Sequence, residues 1–556
     1  MKLGLLPGAG GTQRLPRIVG IPAALEIITS GDPVGAKRAL ELGMIDAIAQ
    51  EGKLREDAIA FARSIVADGK PAPRVRDRQD MVEPYRGKPE VFENFLKANA
   101  KTFRCLKAPV NIVKAIEAAA ELPFDEGMKR ERELFDELHD GSQSAAQRYY
   151  FFAERQATKI PDIPADTPQL PVRTAGVIGA GTMGGGITMN FLNAGIPVTL
   201  VETTQEALDR GIAVIQRNYE STVKKGRMTA AQMEQRMALI TPALSLMALA
   251  DVDLVVEAVF EEIETKKKIF GDLDRIIKPG AILASNTSFL DLDEIAAVTS
   301  RPQDVVGMHF FSPANVMRLL EVVRGTKTRK EVIATVMNLA KTINKVPVHS
   351  GVCRGFIANR LMNLRGEVAQ DLVLRGPSPQ EIDQAVYDFG FPMGPFQLMD
   401  LVGLDVLGRD STERTLSGDL VKRNRFGVKK NGGFYDYDED RKATPSPVAD
   451  EVIAELAAYK GVESIGPLSP DEIIARLLYV VVNEGAKVLE EGIALRASDI
   501  DVACILGYNW PVFTGGPMFW ADTIGLQTVV DGLRAQGIEP AKLLLEKASK
   551  GERLTA

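Results

Sequence analysis

Short apolar runs alternate with amphipathic stretches through the middle of the chain. Runs of four to seven residues rich in Val, Ile, Leu and Ala, bounded by glycine, proline or polar residues, are typical of buried strands. Such runs predict strands at 175–178, 198–202, 252–256, 281–284, 305–311 and 319–323. Because helical stretches separate them, the pattern predicts a doubly wound α/β sheet with helices packed on it.

The chain becomes helical after about residue 352, and this helical part repeats itself. The segment 390–403 recurs as 515–525, with its Pro, Asp and Gly each displaced by 122 residues. Upstream, Asn359-Arg360 has its counterpart 116 residues later in Ala475-Arg476. Two copies do not make a solenoid. We therefore expect two similar all-α modules that pack on each other or on the sheet domain.

The first 170 residues lack the strand–helix alternation. A glycine-rich segment is followed by a charged, helix-prone stretch, in which residues 129–154 predict one long amphipathic helix. Four prolines between residues 160 and 171 predict an extended, semi-rigid linker. The pattern divides the chain into five segments: 1–70, 71–170, 171–352, 353–460 and 461–556.

Composition narrows the functional class. At roughly 150 residues per domain, 556 residues correspond to three to four domains. Apolar residues make up 45% and charged residues 25%, which excludes a largely disordered, collagen-like or disulfide-framework protein. The net charge of −7 provides no global field for nucleic acid or an anionic membrane. No apolar run approaches the roughly 18 residues of a membrane span, so no span is expected.

The cysteines favour neither a metal site nor a disulfide set. Cys105, Cys353 and Cys504 lie far apart, with no CxxC or Cys/His spacing, and only three histidines are present. The C-terminal residues 553–556 are not a Ser-Lys-Leu peroxisomal address. We therefore expect no metal and a reducing, cytoplasmic location.

A glycine fingerprint follows the first strand of the middle region. Gly179, Gly181 and Gly184, with Thr182 and Met183 among them, form a loop that follows the strand and opens a helix. This spacing allows a tight turn and a close approach of the backbone to a pyrophosphate at the helix N-terminus. Glu202, at the end of the next strand, is expected to accept from ribose hydroxyls and to repel a 2′-phosphate. The pattern favours NAD over NADP.

A second cluster suggests proton transfer. Oxidation of a secondary alcohol needs a base for the hydroxyl proton, and neutral imidazole titrates in a suitable range. The turn at 312–315 can fold the strand that carries Glu321 beside the strand that carries His309, so the carboxylate could orient the ring. A histidine near a strand end is more often a packed core residue. The dinucleotide motif and the returning acid favour a catalytic pair.

These motifs together resemble the 3-hydroxyacyl-CoA dehydrogenase family over residues 175 to about 460. The match includes the Ser285–Ser288 segment, the His-Phe-Phe-Ser-Pro segment from His309 and the Gly-Phe-Ile-Ala-Asn-Arg helix around Asn359. The resemblance implies a Rossmann NAD domain, a dyad of His309 and Glu321, and positioning of the substrate oxygen and nicotinamide by Ser288 and Asn359.

The same resemblance implies further ligand contacts. Glu261, Lys266 and Asn286 correspond to cofactor contacts, and Lys224 and Lys225 lie where the family meets the coenzyme A phosphates. Without the family, the charged residues 261–267 fit a solvated helix face, and the two lysines fit a plain surface cluster about equally well. Both alternatives stay open at this point.

The N-terminal segment resembles a second family, the enoyl-CoA hydratases or crotonases, over residues 3–16 and 31–46. In that family both catalytic glutamates precede the glycine segment, so they are expected upstream of Met1. We therefore expect a partial crotonase domain without hydratase activity, in a chain that is most of a longer protein. The order of segments resembles the peroxisomal-type bifunctional enzymes of β-oxidation.

The expected function is NAD-dependent oxidation of (S)-3-hydroxyacyl-CoA to 3-oxoacyl-CoA in fatty acid β-oxidation. One alternative is a catalytically idle NAD-binding structural protein, and another is a Rossmann dehydrogenase of a sugar acid. The second helical copy could cover the surface that two subunits would otherwise share, so a monomer is expected.

Overall fold

The computed structural model describes residues 2–69, 74–407 and 413–556. The chain forms two compact units, Met1–Phe151 with Phe513–Gly515 and Phe152–Val512 with Gly516–Ala556. The sheet and both helical copies lie in the second unit. Among the described residues, no helix combines the length and the apolar character needed to cross a bilayer.

Helices build the first unit. The helices of the N-terminal part are α1 Gly11–Val19, α2 Ile21–Ser30, α3 Ala36–Glu41, α4 Leu54–Asp68, α5 Pro89–Ala98, α6 Ala100–Phe103, α7 Lys107–Glu121, α8 Phe124–His139 and α9 Ser142–Gln156. Single 3-10 turns occur at Val75–Asp77 and Glu83–Tyr85. The core forms where α1, α2, α7 and α8 pack together around buried side chains such as Leu25, Ile112 and Leu134.

The buried carboxylate of Glu131 fixes the glycine-rich N-terminal segment. Its Oε1 accepts the N–H of Gly10 at 2.6 Å, and its Oε2 accepts both the N–H, at 3.0 Å, and the hydroxyl of Thr12. The Gln13 amide donates to the carbonyl oxygen of Ala115 at 2.7 Å. A carboxylate at the first turn of α1 also offsets the positive end of the helix dipole. The segment is thus an anchored part of this unit.

Residues 129–154 form parts of two helices, and the prediction of one long helix is wrong. α8 ends at His139 and α9 begins at Ser142. The break falls at Asp140-Gly141. Glycine in a helix interior costs about 1 kcal/mol relative to alanine, and a periodicity taken from apolar positions does not register this cost.

An eight-stranded sheet forms the centre of the second unit. Its strands are β1 Ala175–Ile178, β2 Val198–Val201, β3 Ile240–Ala243, β4 Leu254–Glu257, β5 Ile282–Ser285, β6 Val305–Phe310, β7 Leu319–Val323 and β8 Val346–Ser350. Their order is β3-β2-β1-β4-β5-β6-β7-β8, so the predicted doubly wound fold is confirmed. The apolar runs did not indicate β3 and β8. β3 is a partly exposed edge strand with an internal proline, as edges tolerate.

β6 and β7 are antiparallel, whereas the other neighbouring strands of this sheet are parallel. Residues 311–318 join the two strands. That is fewer than the dozen or more residues that a parallel crossover needs. The resulting register sets His309 of β6 opposite Glu321 of β7.

Helices cover both faces of the sheet. They are α10 Thr182–Asn193, α11 Gln205–Lys224, α12 Ala230–Met237, α13 Ile263–Ile276, α14 Leu292–Ala297 and α15 Lys330–Thr342, with 3-10 turns at Leu246–Leu249 and Pro302–Asp304. Successive strand side chains alternate between two apolar clusters. Val177 and Val256 belong to one cluster, and Ile178 and Val255 belong to the other. This two-sided burial accounts for the nearly continuous apolar runs of the strands.

The remaining helices form the two copies of the repeat. They are α16 Ala358–Leu374, α17 Pro379–Phe389, α18 Pro395–Val402, α19 Leu404–Leu407, α20 Leu416–Lys422, α21 Pro447–Lys460, α22 Pro470–Glu490, α23 Ala497–Tyr508, α24 Pro517–Ile524, α25 Leu526–Ala535 and α26 Lys542–Lys550. A 3-10 turn lies at Val512–Thr514, and β9 Tyr435–Tyr437 pairs antiparallel with β10 Ala443–Pro445.

Equivalent buried aspartates anchor each copy. Asp383 accepts two backbone N–H groups at the start of α18, and Asp501 accepts two at the start of α24. Asp400 and Asp522 then each accept two N–H groups from a later segment of their own copy. The repeat found in the sequence is therefore also a structural repeat.

Candidate active site

The carboxyl ends of β1, β4 and β5 carry polar groups at one edge of the sheet, and β6 ends there as well. In open α/β sheets, ligands bind at this edge. The glycine loop 179–184 follows β1, Glu257 ends β4, Ser285 ends β5, and His309 is the penultimate residue of β6. The fold thus brings the sequence motifs to a common edge.

The loop between β1 and α10 leaves room for a ligand at one glycine. Gly179 has φ +98°, and a Cβ there would lie 2.6 Å from the carbonyl oxygen of Ala258. A Cβ on Gly184 would collide with the carbonyl oxygen of Gly179. A Cβ on Gly181, in contrast, would meet no atom within 4 Å. Two glycines are thus required by close packing, and the third borders open space.

The fit to a dinucleotide extends to α10 and Glu202. α10 begins with Thr182 and Met183, and no side chain caps its first turn, so its positive end can hold an anion. Glu202 Oε1 accepts the N–H of Ala180 at 3.2 Å, and Oε2 accepts the N–H of Thr203 at 2.7 Å. These contacts hold the carboxylate beside the glycine loop, where it suits ribose hydroxyls. The residues present therefore fit NAD.

His309 and Glu321 form a buried hydrogen-bonded pair. Nδ1 of His309 lies 2.7 Å from Oε2 of Glu321, and the two residues are 3% and 0% exposed. An ionised carboxylate only accepts, so Nδ1 carries the proton and Nε2 is left as an acceptor. Within the described part of the chain, Nε2 makes no hydrogen bond. The rings of Phe311 and Phe356, with centroids 4.4 and 5.5 Å from that of the imidazole, pack against it.

The other carboxylate oxygen of Glu321 is tied to a helix N-terminus. Oε1 accepts the N–H of Ile357 at 3.2 Å and the N–H of Ala358 at 2.8 Å, at the start of α16. The positive end of the helix dipole stabilises a carboxylate in this position. Both oxygens are therefore held, and Glu321 presents a fixed acceptor to the imidazole.

Asn359 is the second residue of α16 and directly follows Ala358, whose N–H binds Glu321. It is 8% exposed, and its Oδ1 accepts the hydroxyl of Tyr508 at 2.5 Å. Burial raises the pKa of Tyr508 well above its usual value, and the charge of Glu321 adds to this, so the hydroxyl stays a donor at neutral pH. Because Oδ1 is occupied, the Nδ2 group of Asn359 is the part available to a bound oxygen.

Glu261 holds the loop that contains Ser288. Its Oε1 accepts the hydroxyl of Thr287 at 2.6 Å and the N–H groups of Ser288 and Phe289 at 2.7 and 2.9 Å. Burial raises the pKa of Glu261, but the Thr287 hydroxyl, the Lys266 charge and the two N–H groups outweigh it and lower the pKa below its usual value. Glu261 thus contacts the loop as an ionised anchor.

Lys266 is buried, so it does not lie on a solvated helix face. It is 1% exposed, and its Nζ lies 2.6 Å from Oε1 of Glu257 and 3.4 Å from Oε2 of Glu261. Glu257 also accepts the hydroxyl of Ser285 at 2.7 Å and the N–H of Val259 at 2.8 Å. A buried charge needs such partners. Lys266 therefore acts on the candidate site indirectly, by pairing with the carboxylates of Glu257 and Glu261.

Asn286 joins two strand ends, since its Oδ1 accepts the N–H of Phe310 at 2.9 Å. Lys224 and Lys225, in contrast, are exposed at the C-terminal end of α11. Within the described part of the chain they form no hydrogen bond through their side chains and no ion pair. They remain compatible with either a phosphate contact or a plain surface cluster.

Two residues of this arrangement were missed from the sequence. Glu257 is a fully buried carboxylate at the end of the apolar strand β4, a position where a charged residue needs a specific partner. Tyr508 lies where the two helical copies differ by a few inserted residues. Two sequence signals could have identified these residues. Glu257 is a charged residue at the end of an apolar run, and Tyr508 lies at a break in the internal repeat.

Family models match most of the chain. The model of the 3-hydroxyacyl-CoA dehydrogenase NAD-binding domain matches residues 174–353, which contain the whole eight-stranded sheet. The model of the C-terminal domain of that family matches 355–437 and 473–554, one match in each helical copy. The enoyl-CoA hydratase/isomerase model matches residues 1–103.

Relatives align over almost the full chain. The peroxisomal bifunctional enzyme of Danio rerio is 41% identical over 587 residues, which cover 99% of this chain and 80% of that protein. The Homo sapiens protein of the same name is 39% identical, with 99% and 80% covered. The peroxisomal fatty acid beta-oxidation multifunctional protein of Arabidopsis thaliana is 37% identical, with 100% and 80% covered.

The expected cytoplasmic location is wrong. Close relatives are named as peroxisomal or glyoxysomal enzymes. Cysteine spacing reports on disulfide pairing and carries no information about which reducing compartment holds a protein. The lack of one peroxisomal signal type likewise does not exclude that compartment.

Solved structures support the same family. A 3-hydroxybutyryl-CoA dehydrogenase from Escherichia coli K12 superimposes with a TM-score of 0.59 at 29% identity, and covers 68% of this chain and 99% of its own. The dehydrogenase part of multifunctional enzyme 1 from C. elegans gives a TM-score of 0.54 at 31% identity, with 72% and 96% covered. This chain therefore belongs to the 3-hydroxyacyl-CoA dehydrogenase family, in a form that also carries an enoyl-CoA hydratase/isomerase segment.

Proposed function

We propose that this protein oxidises (S)-3-hydroxyacyl-CoA to 3-oxoacyl-CoA with NAD, in fatty acid β-oxidation. The observation that carries the proposal is the His309–Glu321 pair, whose donor and acceptor roles leave Nε2 of the imidazole free to take a proton. The glycine loop at the same edge of the sheet fits NAD, and the family match supports this cofactor.

In this function His309 acts as the general base. Nε2 accepts the proton of the substrate's 3-hydroxyl, and Glu321 stabilises the imidazolium that forms. The two N–H groups of Ile357 and Ala358 hold the Glu321 carboxylate in place during the step. The chemistry that NAD supplies when bound is hydride acceptance at its nicotinamide ring. Reduction of the 3-oxo compound uses the same groups in reverse.

Other residues hold and orient the ligands. Ser288 and the Nδ2 group of Asn359 position the substrate oxygen, which matters because a small misplacement raises the barrier. Gly179, Gly181 and Gly184, the start of α10 and Glu202 hold the dinucleotide, while Glu261, Lys266 and Asn286 keep the neighbouring loops in place. Lys224 and Lys225 contact the coenzyme A phosphates as mobile point charges.

The test is NADH formation from a 3-hydroxyacyl-CoA. His309→Ala and Glu321→Ala are expected to lower kcat by roughly 100- to 10,000-fold and to leave NAD binding nearly unchanged. The matched control is His349→Ala, because His349 is also buried and its ring forms no hydrogen bond within the described part of the chain. Near wild-type turnover by His309→Ala would contradict the assignment. Activity with sugar acids but none with acyl-CoA substrates would favour the other dehydrogenase class.

The packing of the helical copies supports a monomer. α16 of the first copy packs along α22 of the second, and Arg360 forms ion pairs with Glu484 at 2.7 Å and Glu491 at 2.5 Å. The second copy thus covers the α16 surface from within the same chain. Light scattering of the purified protein tests this, and a stable dimer would contradict it.

A further inference from the structure

The β6–β7 connection, residues 311–318, joins the two strands that carry the proposed catalytic pair. It begins two residues after His309 and ends three residues before Glu321. Because the pair lies close to both strand ends, the positions of the imidazole and of the carboxylate depend on what holds this connection in place.

Lys345, between α15 and β8, holds the β6–β7 connection at two points. Its Nζ donates to the carbonyl oxygen of Ala314 at 2.6 Å and to that of Met317 at 2.7 Å. The residue is 6% exposed. Burial lowers the pKa of Lys345 to about 8, with the charge of Arg318 acting in the same direction. The ammonium form therefore prevails at pH 7 and donates charge-assisted hydrogen bonds.

The same connection packs tightly against α10, the helix that follows the glycine loop. Asn190 of α10 donates through Nδ2 to the carbonyl oxygen of Ala314 at 3.0 Å, so this oxygen accepts from Asn190 and Lys345 together. A Cβ on Gly186 of α10 would lie 3.0 Å from the Cβ of Ala314 and 3.1 Å from the nitrogen of Asn315. A larger side chain there would push the helix and the connection apart.

Stability alone does not account for a lysine at position 345. In the described part of the chain its ammonium forms no ion pair, and its partners are two neutral carbonyl oxygens. Burial of a cation is costly, and a well-packed apolar residue of similar volume is often neutral or stabilising in such a place. The ammonium supplies what an apolar side chain cannot, which is a fixed attachment of the connection to the segment between α15 and β8.

We propose that Lys345 is a positioning residue of the dehydrogenase reaction, which together with Asn190 locks the β6–β7 connection to α10 and thereby fixes His309 relative to the dinucleotide loop. This role rests on the proposed function. The glycine loop that fits NAD opens α10, and β6 carries the proposed base, so a clamp between the two elements sets the base against the cofactor. Lys345 acts through the connection and not on the reacting atoms. A misplacement of about 1 Å can lower a rate by about 100-fold.

The main test is Lys345→Met, which keeps an unbranched side chain and removes both hydrogen bonds. We expect kcat for NADH formation from a 3-hydroxyacyl-CoA to fall by roughly 10- to 100-fold, with the substrate KM and the Kd for NAD within about threefold of the wild type. Asn190→Ala should lower kcat less, because Lys345 still holds the same oxygen. In the Lys345→Met background it should add little, since the connection is already released.

Lys345→Arg is the conservative variant. A guanidinium can donate to both carbonyls, and a cavity of about 130 Å³ that Lys345 lines leaves room for the larger group. We expect kcat to stay within about fivefold of the wild type. The matched control is Lys278→Met, since Lys278 donates to the carbonyl oxygen of Asp251 at 2.7 Å, beside the amino end of β4 and at the opposite edge of the sheet. It should lower the free energy of unfolding and leave kcat unchanged.

A measurement without turnover reports on the catalytic pair directly. The chain has three histidines, so nitrogen-15 labelling of histidine gives few imidazole signals in an NMR spectrum, and His309→Ala assigns the relevant one. The Nδ1 proton of His309, held by Glu321, should be protected from exchange with water in the wild type and in Lys278→Met. In Lys345→Met we expect its exchange to be at least about tenfold faster.

Unchanged kcat in Lys345→Met would overturn the proposal, and so would an equal loss of kcat in Lys278→Met. A higher Kd for NAD at unchanged kcat would overturn it too, and would limit Lys345 to the support of α10. If the wild type forms no NADH from a 3-hydroxyacyl-CoA, the dehydrogenase function fails. Exchange of the His309 Nδ1 proton then decides the Lys345 proposal separately, because it needs no substrate, and equal exchange in the wild type and Lys345→Met would contradict the clamp.

Discussion

The hydroxyl of Tyr508 donates to Oδ1 of Asn359 at 2.5 Å, and this hydrogen bond joins the second helical copy to the proposed active site. The counterpart of Asn359 in the second copy is Ala475, so the second copy cannot hold such a site of its own. It contributes instead by fixing the orientation of an amide in the first copy.

Tyr508→Phe is expected to lower kcat by about tenfold with little change in KM. Without the hydroxyl, the Asn359 amide can rotate, and Nδ2 is lost as a fixed donor to the reacting oxygen. The measurement is steady-state NADH formation. In an Asn359→Ala background the same substitution should have no further effect, because the two residues act as one unit.

Tyr437→Phe is the matched control for the loss of a tyrosine hydroxyl. Tyr437 donates to the buried carboxylate of Asp400 in the first copy. Its loss should reduce the free energy of unfolding and leave kcat unchanged. If Tyr508→Phe also changes only stability, the positioning role of Tyr508 is wrong.

Gly181→Ala separates cofactor binding from folding. The backbone at Gly181 has φ −71° and ψ −168°, an extended conformation open to alanine, and an added Cβ would meet no atom within 4 Å. We expect stability to change by less than about 1 kcal/mol. The methyl group would stand where the pyrophosphate approaches, so the Kd for NAD should rise at least about tenfold. Calorimetry measures both ligand affinity and stoichiometry.

Gly271→Ala is the control for this substitution. Gly271 lies inside α13, and an added Cβ there also meets no atom within 4 Å. Its NAD affinity should equal that of the wild type. Unchanged NAD binding by Gly181→Ala would show that the cofactor does not lie against this loop.

Six strands of the sheet, β1, β2 and β4 to β7, were predictable because they are buried on both faces and therefore appear as apolar runs. The pairing of His309 with Glu321 was also predictable, since a connection of eight residues is too short for a crossover. β3 was not predicted, because its side chains are partly exposed and it contains a proline.

The residues that hold the site residues in place were harder to predict. Whether Lys266 is solvated or buried depends on its ion pair with Glu257. Lys266 lies on α13 and Glu257 ends β4, and no helical or strand period links the two. Tyr508 lies 149 residues from Asn359. Contacts of this kind depend on tertiary packing, and helical or strand periodicity carries no information about it.

We expect this chain not to hydrate 2-enoyl-CoA. Hydration of an enoyl thioester needs carboxylates that are free to act as acid and base. In the first unit, the buried carboxylate of Glu131 accepts from Gly10 and Thr12 with both of its oxygens, so it is not available as an acid or base. The assay is loss of enoyl-thioester absorbance, with 3-hydroxyacyl-CoA oxidation by the same preparation as the positive control. Hydration that Glu131→Gln abolishes would contradict this prediction.

His349 is expected to make the protein less stable in mild acid. It is 6% exposed on β8, and neither ring nitrogen has a hydrogen-bond partner in the described chain. Burial lowers the pKa of His349 to about 4, with Arg324 and Arg496 acting in the same direction and Asp162 opposing them. The unfolded chain, with a pKa of about 6.5, binds the proton first as the pH falls. Stability is therefore retained above about pH 6.5 and lost towards pH 4.

His349→Leu should remove this dependence. Between about pH 7.5 and pH 5, the wild type is expected to lose roughly 2 kcal/mol more than the variant in the free energy of unfolding. Urea unfolding at the two pH values measures the difference. The control is His139→Leu, because His139 is exposed on α8, and its loss should leave the pH dependence unchanged. Parallel losses in the wild type and in His349→Leu would mean that His349 is protonated in the folded protein, and that other groups dominate the acid response.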